Sequence, residues 1–443
     1  MIPLKIAVIG GGSTYTPELV EGFLHGMPPV REIALMDIDA PKLAIVGGLA
    51  QRMASAAWST VSVTLTTELA RVLDGADIVI TQLRVGGLAA RVLDERIPIA
   101  HGLIGQETTG PGGFFKALRT IPVLLDINRA MARYCPDAWL INFTNPSGLV
   151  TEALRVYGRA QFVGLCNYPL TLKMHIAQAL DVEESRLELA YFGLNHLSWA
   201  RVLVDSVDRT GEVIDLMLTK PECRELSGFA FAPERLRALG LIPSGYLRYF
   251  YERERMEREL QAAKQTRGER VQDMERVLLA QYADPALREK PAGLQERGGA
   301  WYSTAAVRLV RDLLNDSGGV HVLNVANETS LPMLPPEVIV ETPAHVAHGT
   351  IGSRAVVTGE GAEARVAGQP IPGEVISLIQ RVKAYELLAV EAAVTGSRGV
   401  ALAALAAHPL LDGRHNILPQ LFDELLLAHQ QYLPLFFVHD KAG

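Results

Sequence analysis

The most informative stretch of the sequence reads Lys5-Ile6-Ala7-Val8-Ile9-Gly10-Gly11-Gly12-Ser13-Thr14-Tyr15-Thr16-Pro17. It has an apolar run, three glycines, and a helix-capping residue followed by proline, so it predicts a strand, a tight turn and a helix. Glycines let the backbone approach a pyrophosphate, whose charge is held by N–H groups at the helix start. The residues that this pattern predicts to bind a dinucleotide are Gly10, Gly11, Gly12, Ser13 and Thr14.

An acidic residue, Asp37, closes the next apolar run. An aspartate at the end of a second strand can accept both hydroxyls of a ribose and disfavours a 2′-phosphate. Tyr15 stands where the usual fingerprint has its third glycine, so the turn taken alone also fits an ordinary strand-to-helix connection. The turn and Asp37 together predict an NAD site and favour NAD over NADP.

Short apolar runs alternate with amphipathic segments through the first 165 residues. The runs predict strands at residues 5–9, 32–36, 78–81, 138–141 and 161–165. Such alternation is typical of an α/β protein with a doubly wound parallel sheet of the Rossmann type. Each predicted strand ends in small or polar residues, and ligands of these sheets bind outside the carboxyl ends of the strands.

The pattern changes after residue 165, and 443 residues exceed what one core normally supports. We expect one further strand at 187–192, several helices, hairpins and loops at 329–373, and helices from 374 onward. The charged stretch at 251–276 predicts a solvated helix with opposite charges one turn apart. We therefore predict an N-terminal NAD-binding domain at 1–165 and a C-terminal α+β domain at 166–443.

Charge and cysteine content narrow the class of protein. A formal net charge of −7 leaves no basic excess for nucleic acid or an anionic membrane, so we expect neither partner. The cysteines, Cys135, Cys166 and Cys223, are odd in number and far apart, which suits a reducing compartment. The N-terminal apolar run is too short for an export signal, and no uncharged apolar run reaches about 18 residues. We expect a soluble, cytoplasmic protein.

A cysteine and a histidine each follow a predicted strand. Cys166 lies in Gly164-Leu165-Cys166-Asn167, and His196 lies in Gly193-Leu194-Asn195-His196. Each residue alone is more often part of a packed core than a metal ligand. As a pair they would leave coordination positions open for a substrate, as a catalytic metal site requires.

Seven motifs occur in the order in which glycoside hydrolase family 4 has them, so the chain resembles that family over almost its whole length, especially the members that cleave 6-phospho-β-glucosides. The motifs begin at Gly10, Arg84, Gly105, Asn142, Gly164, Gly193 and Tyr246, and read GGGSTYTP, RVGGL, GQETTG, NFTNP, GLCN, GLNH and YLRY. The resemblance implies a fold related to lactate and malate dehydrogenases, bound NAD that stays on the enzyme, and a divalent metal, usually manganese.

The resemblance also implies roles for individual residues. Cys166 and His196 would be the metal ligands, and Tyr246 the catalytic base. The residues implied to contact the substrate are Arg91, Asn145, Asn167 and Arg267. Without the resemblance, Tyr246 also fits an interface aromatic, Asn145 a turn, and Arg267 a charge on a solvated face. Glu107 and Arg84 lie in matching motifs but have no secure role.

Two positions depart from the family pattern. Some members have an aspartate, proposed as an acid, where this chain has Asn167, and an amide cannot donate a proton as a carboxylic acid does. The β-specific members commonly have this asparagine, which favours a β-linked substrate. Glu328 stands where the family usually has glycine after the asparagine that corresponds to Asn327.

The implied reaction replaces the usual carboxylate pair with temporary oxidation. Hydride transfer from C3 of the sugar to NAD makes a ketone, so the proton on C2 becomes acidic enough for Tyr246 to remove. The C1 substituent then leaves, water adds, and the hydride returns to C3. The metal would stabilise the enediolate and lower the pKa of the tyrosine. Arginines would read the 6-phosphate through paired donors.

Three other interpretations stay open at this point. An NAD-dependent hydroxyacid dehydrogenase of the lactate or malate type would share the fold, release NADH and need no metal. A family 4 α-glycosidase would share the cofactors, and a non-catalytic NAD sensor or sugar-phosphate-binding protein would share the binding residues. From relatives of the fold we expect a homodimer or homotetramer, with a phosphorylated glucoside as its small-molecule substrate.

Overall fold

The computed structural model describes residues 3–25, 29–297, 301–315 and 318–437. Its strands are β1 (Leu4–Ile9), β2 (Val30–Met36), β3 (Ser62–Thr66), β4 (Ile78–Thr81), β5 (Trp139–Asn142), β6 (Phe162–Gly164), β7 (Leu187–Leu194), β8 (Leu197–Val204), β9 (Val207–Asp208), β10 (Ile242–Pro243), β11 (Gly319–Ala326), β12 (Ile339–Ala347), β13 (Thr350–Ser353), β14 (Val357–Thr358), β15 (Arg365–Val366) and β16 (Gln369–Pro370).

The α-helices of the described residues follow the same chain order. They are α1 (Thr16–His25), α2 (Ala40–Ala56), α3 (Leu69–Leu73), α4 (Gly87–Ala100), α5 (Gly110–Tyr134), α6 (Ser147–Tyr157), α7 (Tyr168–Leu180), α8 (Thr210–Thr219), α9 (Pro233–Leu239), α10 (Arg248–Tyr251), α11 (Arg253–Ala262), α12 (Arg267–Tyr282), α13 (Tyr302–Leu314), α14 (Gly373–Thr395), α15 (Arg398–Ala407) and α16 (Leu418–Ala428). None of these helices is both long and apolar enough to cross a lipid bilayer.

A nine-stranded sheet forms the centre of the molecule, in the order β13-β12-β11-β6-β5-β4-β1-β2-β3. The strands from β6 to β3 are parallel, and their order reverses direction between β1 and β4. Ligands bind at such a reversal in open α/β sheets, and the glycine turn follows β1 at this point. The predicted Rossmann-type α/β fold and its five predicted strands are confirmed.

The sheet is buried on both faces, as a parallel sheet requires. Ile6 and Val8 of β1 pack into the core beneath α1 and α13, whereas Ala7 and Ile9 face the second core beneath α5. Alternate side chains of one strand therefore serve two different cores, because successive residues point to opposite faces.

The sheet has strands that the sequence pattern did not predict. β3 extends the parallel part, and β11 adds an antiparallel strand where Asn324 pairs with Gly164 of β6. β12 and β13 continue from β11 as antiparallel neighbours. The large sheet thus combines residues 4–164 with residues 319–353, while the domain boundary at residue 165 stays a prediction.

A second sheet contains the predicted strand at 187–192 as part of β7, which pairs antiparallel with the unpredicted β8. Leu194 pairs with Leu197, so Asn195 and His196 alone form the turn of this hairpin. His196 has a φ of 63°, a left-handed conformation that is uncommon for residues other than glycine. The hairpin turn therefore places a strained histidine at the end of a buried strand.

The charged stretch at 251–276 is not the single solvated helix that we expected. It is divided into α11 and α12, and Thr266 and Glu269 form a capping box at the start of α12. The predicted spacing of charges holds, since Arg253 pairs with Glu257 one turn away. The predicted hairpins at 329–373 are confirmed as β12 to β16, and the helices after them as α14 to α16.

Candidate active site

The glycine turn is held against the ends of two neighbouring strands. The N–H groups of Gly10 and Gly11 both donate to the carbonyl oxygen of Met36, at 2.9 and 2.7 Å. Gly10 has a φ of 90°, and a Cβ at this position would lie 2.8 Å from the backbone of Gln82. The turn therefore requires glycine at this point, because a side chain would collide with the backbone that directly follows β4.

Asp37 lines a cavity beside the turn, whereas Gly11, Gly12 and Thr14 of the turn do not line it. The N–H of Gly12 donates to Oδ2 of Asp37 at 2.9 Å, which fixes the carboxylate beside the turn. The hydroxyl oxygen of Thr14 is buried and has no hydrogen-bond partner among the residues that the structure describes. Gly10, Ser13 and Asp37 are the predicted cofactor residues that face the cavity. These residues fit a dinucleotide.

One cavity of about 1500 Å³ connects this turn with the other predicted site residues. Ligand sites usually enclose about 300–1,000 Å³, so the space suits a dinucleotide and a sugar substrate together. The predicted site residues that line it are Gly10, Ser13, Asp37, Arg91, Asn145, Asn167, Tyr246 and Arg267. The structure thus brings the predicted cofactor and substrate residues to one site, and their roles stay predictions.

The predicted metal ligands, Cys166 and His196, do not themselves line this cavity, whereas Asn167, next to Cys166, and Tyr246, stacked on His196, do. Cys166 follows β6, His196 occupies the β7–β8 turn, and Sγ and Nε2 are 3.8 Å apart. At a tetrahedral angle, zinc bonds of about 2.3 Å to sulfur and 2.1 Å to nitrogen place the two ligand atoms about 3.6 Å apart, close to this distance. The described residues contain no group of three His, Cys, Asp or Glu side chains that could hold a metal. The pair therefore fits an open site that a substrate completes.

Burial controls the protonation of both predicted ligands. Burial, together with nearby Glu341, raises the pKa of the Cys166 thiol to about 12, against hydrogen bonds from Tyr168 and Asn195. Burial lowers the pKa of His196 to about 3, so its imidazole is neutral at pH 7. A neutral imidazole is ready to bind a metal, whereas the thiol must first lose its proton, which a bound cation favours.

Tyr246 lies directly over His196. The two rings are parallel within 5°, and their centroids are 3.7 Å apart. Burial raises the pKa of Tyr246 well above its usual range, and Cys166 and Glu107 raise it further, while the cation of Arg248 opposes them. A tyrosine in this position needs another positive charge nearby to act as a base.

Three arginines, Arg91, Arg267 and Arg270, line the same cavity. Burial lowers the pKa of Arg267, and the charges of Arg91 and Arg270 lower it further. Arginines lose little of their charge under such repulsion, so the group attracts an anion. Nearby, Oδ1 of Asn145 is buried without a hydrogen-bond partner among the described residues. These features fit a phosphorylated sugar.

Glu107 is the centre of an ion-pair cluster that the sequence indicated only in part. Its carboxylate accepts from Lys116 at 2.6 Å, pairs with Arg91 at 2.9 Å, and also pairs with Arg84. Although burial acts in the opposite direction, these three cations hold the pKa of Glu107 well below its usual range. Lys116 was missed because it lies inside α5, where a single lysine gives no functional signal.

Glu328, where the resemblance leads us to expect glycine, has a left-handed backbone conformation of the kind that favours glycine. Its φ is 50°, and its carboxylate accepts from the N–H and the hydroxyl of Ser353. Asn327 donates to the carbonyl oxygens of Leu331 and Leu334, both at 3.0 Å. The departure from the family pattern is therefore absorbed within a hydrogen-bonded loop.

Comparison with known proteins agrees with the geometry. The model of family 4 glycosyl hydrolases matches residues 5–182, and the model of the family 4 glycosyl hydrolase C-terminal domain matches residues 191–411. A probable 6-phospho-beta-glucosidase of Bacillus subtilis is 44% identical over 98% of each chain.

Solved structures extend the comparison to the fold. The 6-phospho-beta glucosidase from Thermotoga maritima, solved with manganese, NAD+ and glucose-6-phosphate, superposes with a TM-score of 0.85 and 35% identity over 97% of this chain and 99% of that chain. Lactate dehydrogenase from Eimeria maxima shares the fold alone, with a TM-score of 0.54 and 14% identity over 89% of this chain and 96% of that chain. The chain therefore belongs to the family 4 glycosyl hydrolases.

Proposed function

We propose that this protein is a 6-phospho-β-glucosidase that uses NAD and a divalent metal, most suitably Mn²⁺. The observation that carries the proposal is the single cavity that joins the glycine turn to the arginine group and to Tyr246. A cofactor, an anionic sugar and a base can therefore meet without any rearrangement of the sheet. The identity to 6-phospho-β-glucosidases over the whole chain supports the same substrate class.

The residues of the chain divide the work between binding and proton transfer. Arg91, Arg267 and Asn145, which all line the cavity, hold the 6-phosphate and the sugar hydroxyls. When bound, NAD supplies the hydride acceptor that makes C3 a ketone and C2–H acidic. When bound by Cys166 and His196, the divalent cation supplies Lewis-acid stabilisation and lowers the pKa of the nearby phenol.

Tyr246 takes the proton from C2 of the sugar. Its parallel contact with His196 keeps the phenol beside the predicted metal ligands, and Tyr246 also lines the cavity that would hold the sugar. Loss of the C2 proton drives departure of the C1 substituent. Asn167 lines the same space but cannot donate a proton, so the aglycone leaves with its proton supplied by water.

An assay in deuterated water tests this proposal. The enzyme, with NAD and Mn²⁺, is offered 4-nitrophenyl 6-phospho-β-glucoside, the α-anomer and the unphosphorylated β-glucoside. We expect cleavage of the phosphorylated β-anomer, deuterium on C2 of the released sugar, and no net NADH. Full activity of NAD-free enzyme, or product without deuterium, would overturn the mechanism. Net NADH from a hydroxyacid would favour the dehydrogenase, and preference for the α-anomer the α-glycosidase.

We also propose a cytoplasmic homodimer or homotetramer. The three cysteines are unpaired, which suits a reducing compartment, and relatives of the fold are generally oligomers. Light scattering coupled to size-exclusion chromatography measures the particle mass. A mass equal to one 48.1 kDa chain at micromolar concentration would exclude the oligomer.

A further inference from the structure

Thr108 contacts one edge nitrogen of the His196 ring, and Cys166 lies near the other. Its hydroxyl oxygen lies 2.9 Å from Nδ1 of His196, while Nε2 of the same ring lies on the side of Cys166. The hydroxyl of Thr108 is also 2.9 Å from Oε1 of Gln106. The imidazole is therefore connected, through one hydroxyl, to an amide two residues earlier in the chain.

The backbone N–H of Thr108 can donate a hydrogen bond but cannot accept one, and this fixes the direction of the neighbouring hydrogen bonds. The backbone N–H of Thr108 donates to Oε1 of Gln106 at 2.5 Å, which requires the oxygen of the amide at this position. The single hydroxyl proton of Thr108 must then lie between Oγ1 and Oε1, because two oxygens 2.9 Å apart without a proton between them repel. Oγ1 is left as an acceptor toward His196, so Nδ1 carries the proton.

The segment that presents Thr108 is held rigidly. A Cβ on Gly112 would lie 2.5 Å from the carbonyl oxygen of Gln106, and one on Gly113 would lie 2.6 Å from that of Thr108. The first turn of α5 therefore packs directly against the backbone of residues 106–108. This close packing explains the glycine-rich sequence after Thr109 and keeps Thr108 at a constant distance from the hairpin turn.

We propose that Thr108, oriented by Gln106, is a positioning residue that fixes His196 as the Nδ1–H tautomer and leaves the lone pair of Nε2 available on the side of Cys166. The inference rests on the metal site of the proposed function and assigns a role to a residue outside it. Hydrogen bonds of this kind orient metal-binding histidines, and their loss weakens metal binding about 10- to 100-fold.

The need for such a contact comes from the hairpin turn. His196 is one of only two residues in the turn, its φ is 63°, and Tyr246 covers one face of its ring. Neither the turn nor a stacked ring distinguishes the two tautomers, since stacking is indifferent to which nitrogen carries the proton. The thiol of Cys166, 3.8 Å from Nε2, can both donate and accept weakly, so it also fits either tautomer. The hydroxyl of Thr108, which can only accept from the ring, makes that distinction.

The tautomer can be measured without metal or activity. We would label the histidines with ¹⁵N and compare the ring nitrogen shifts of metal-free wild type, Thr108→Val and Thr108→Ser, assigning His196 by its absence in His196→Asn. The wild type and the serine variant should show protonated Nδ1 and unprotonated Nε2, whereas the valine variant should show a mixture. Protonated Nε2 in the wild type, or an unchanged ring in Thr108→Val, would overturn the inference.

Metal affinity provides the second measurement, with Co²⁺ as the probe. We expect Thr108→Val to bind Co²⁺ about 10- to 100-fold more weakly than wild type, with Thr108→Ser within about threefold. Thr120→Val is the matched control, because the hydroxyl of Thr120 is buried in α5 without a partner among the described residues. Thr108→Ala replaces the valine variant if valine disturbs folding.

The outcomes separate this inference from the proposed function. If wild type shows no thiolate-to-Co²⁺ absorption, the metal site itself is wrong. If wild type shows that absorption and Thr108→Val binds Co²⁺ equally well, the role of Thr108 alone is wrong. Equal weakening by Thr120→Val would also overturn that role, because the effect would then come from any threonine lost near α5.

Discussion

The dinucleotide turn and the metal pair differ in how the chain builds them. The turn comes from one continuous segment, residues 10–16, completed by Asp37 at the end of the neighbouring strand. The metal pair comes from Cys166 after β6 and His196 in a hairpin of another sheet. Tyr246, from a third segment, stacks on His196 and completes this part of the site. A site formed by one turn is readable in the sequence, whereas a site formed by three segments depends on the whole fold.

The difference has a physical origin in what each site requires. At Gly10, the requirement is a backbone conformation and an empty volume, and glycine alone meets both. At Cys166 and His196, the requirement is a distance between atoms that are 30 positions apart in the chain. Neither residue type is diagnostic by itself, so only the ordered motifs of the family indicated this pair.

Replacing Tyr246 with phenylalanine should have the largest effect, and only on the metal side. The variant keeps the ring over His196 and loses the hydroxyl, so we expect kcat to fall about 10²- to 10⁴-fold with NAD affinity unchanged. Steady-state kinetics and a fluorescence titration with NAD measure the two quantities. An unchanged kcat would show that Tyr246 is not the base. A parallel loss of NAD affinity would show that the dinucleotide site and the metal site are energetically coupled.

Gly10→Ala should damage the dinucleotide side and leave the metal side intact. The new Cβ would lie 2.8 Å from the backbone of Gln82 at a φ of 90°, so NAD affinity should fall about 100-fold, or about 3 kcal/mol. Co²⁺ affinity should not change. Gly211→Ala is the control, because nothing lies within 4 Å of a Cβ there and alanine suits helix α8. Unchanged NAD binding in Gly10→Ala would contradict the steric argument.

A smaller effect is expected on stability, through Glu341, a buried carboxyl that accepts a hydrogen bond from Asn195 beside the predicted metal ligand His196. Burial raises the pKa of Glu341 to about 7, against hydrogen bonds from Asn195, Tyr191 and Asn324. The folded protein then holds a proton that the unfolded chain releases near pH 4.5, so this carboxyl stabilises the fold at low pH and destabilises it as the pH rises through 7. Glu341→Gln replaces the carboxyl with an amide that does not titrate, so this pH dependence of the free energy of unfolding is lost.

Urea unfolding at pH 5 and pH 8 measures this contribution as a difference between the two proteins. Relative to wild type, Glu341→Gln should gain about 2–3 kcal/mol of stability between pH 5 and pH 8. Glu328→Gln is the control, since its carboxylate lies in the exposed loop near Ser353. A constant difference between wild type and Glu341→Gln would show that Glu341 titrates as it does in the unfolded chain.

Much of the sheet could be predicted from the sequence because its parallel strands are buried on both faces and read as apolar runs. β3 was missed because it lies at the sheet edge and its residues are only partly buried. β11 was missed because its residues are also mostly half-buried and follow a long helical region. The break before Arg267 was missed because its capping box lies inside a charged stretch that continues on both sides.

The sequence could predict those site residues whose type is demanded by a backbone conformation, by the chemistry of a ligand or by a family motif. Gly10 and Asp37 follow from backbone geometry and ribose chemistry, Tyr246 from a family motif, and Arg267 from the resemblance to the family alone. Thr108 lies in the motif GQETTG, but the motif does not indicate its contact with His196, and a single lysine such as Lys116 inside a helix gives no signal at all. Contacts of this kind become visible only when the fold places the segments side by side.

The antiparallel strands that extend the sheet have a consequence for synthesis of the chain on the ribosome. β6 is complete by residue 164, but its neighbour β11 begins only at residue 319. At a synthesis rate of about 5–20 residues per second, β11 is made on the order of 10–30 s after β6, and the edge of β6 is unpaired during this time. An uncovered strand edge invites pairing with other nascent chains. A gene fragment that stops at residue 165 should therefore yield aggregates, and nascent chains should need chaperones most during this interval.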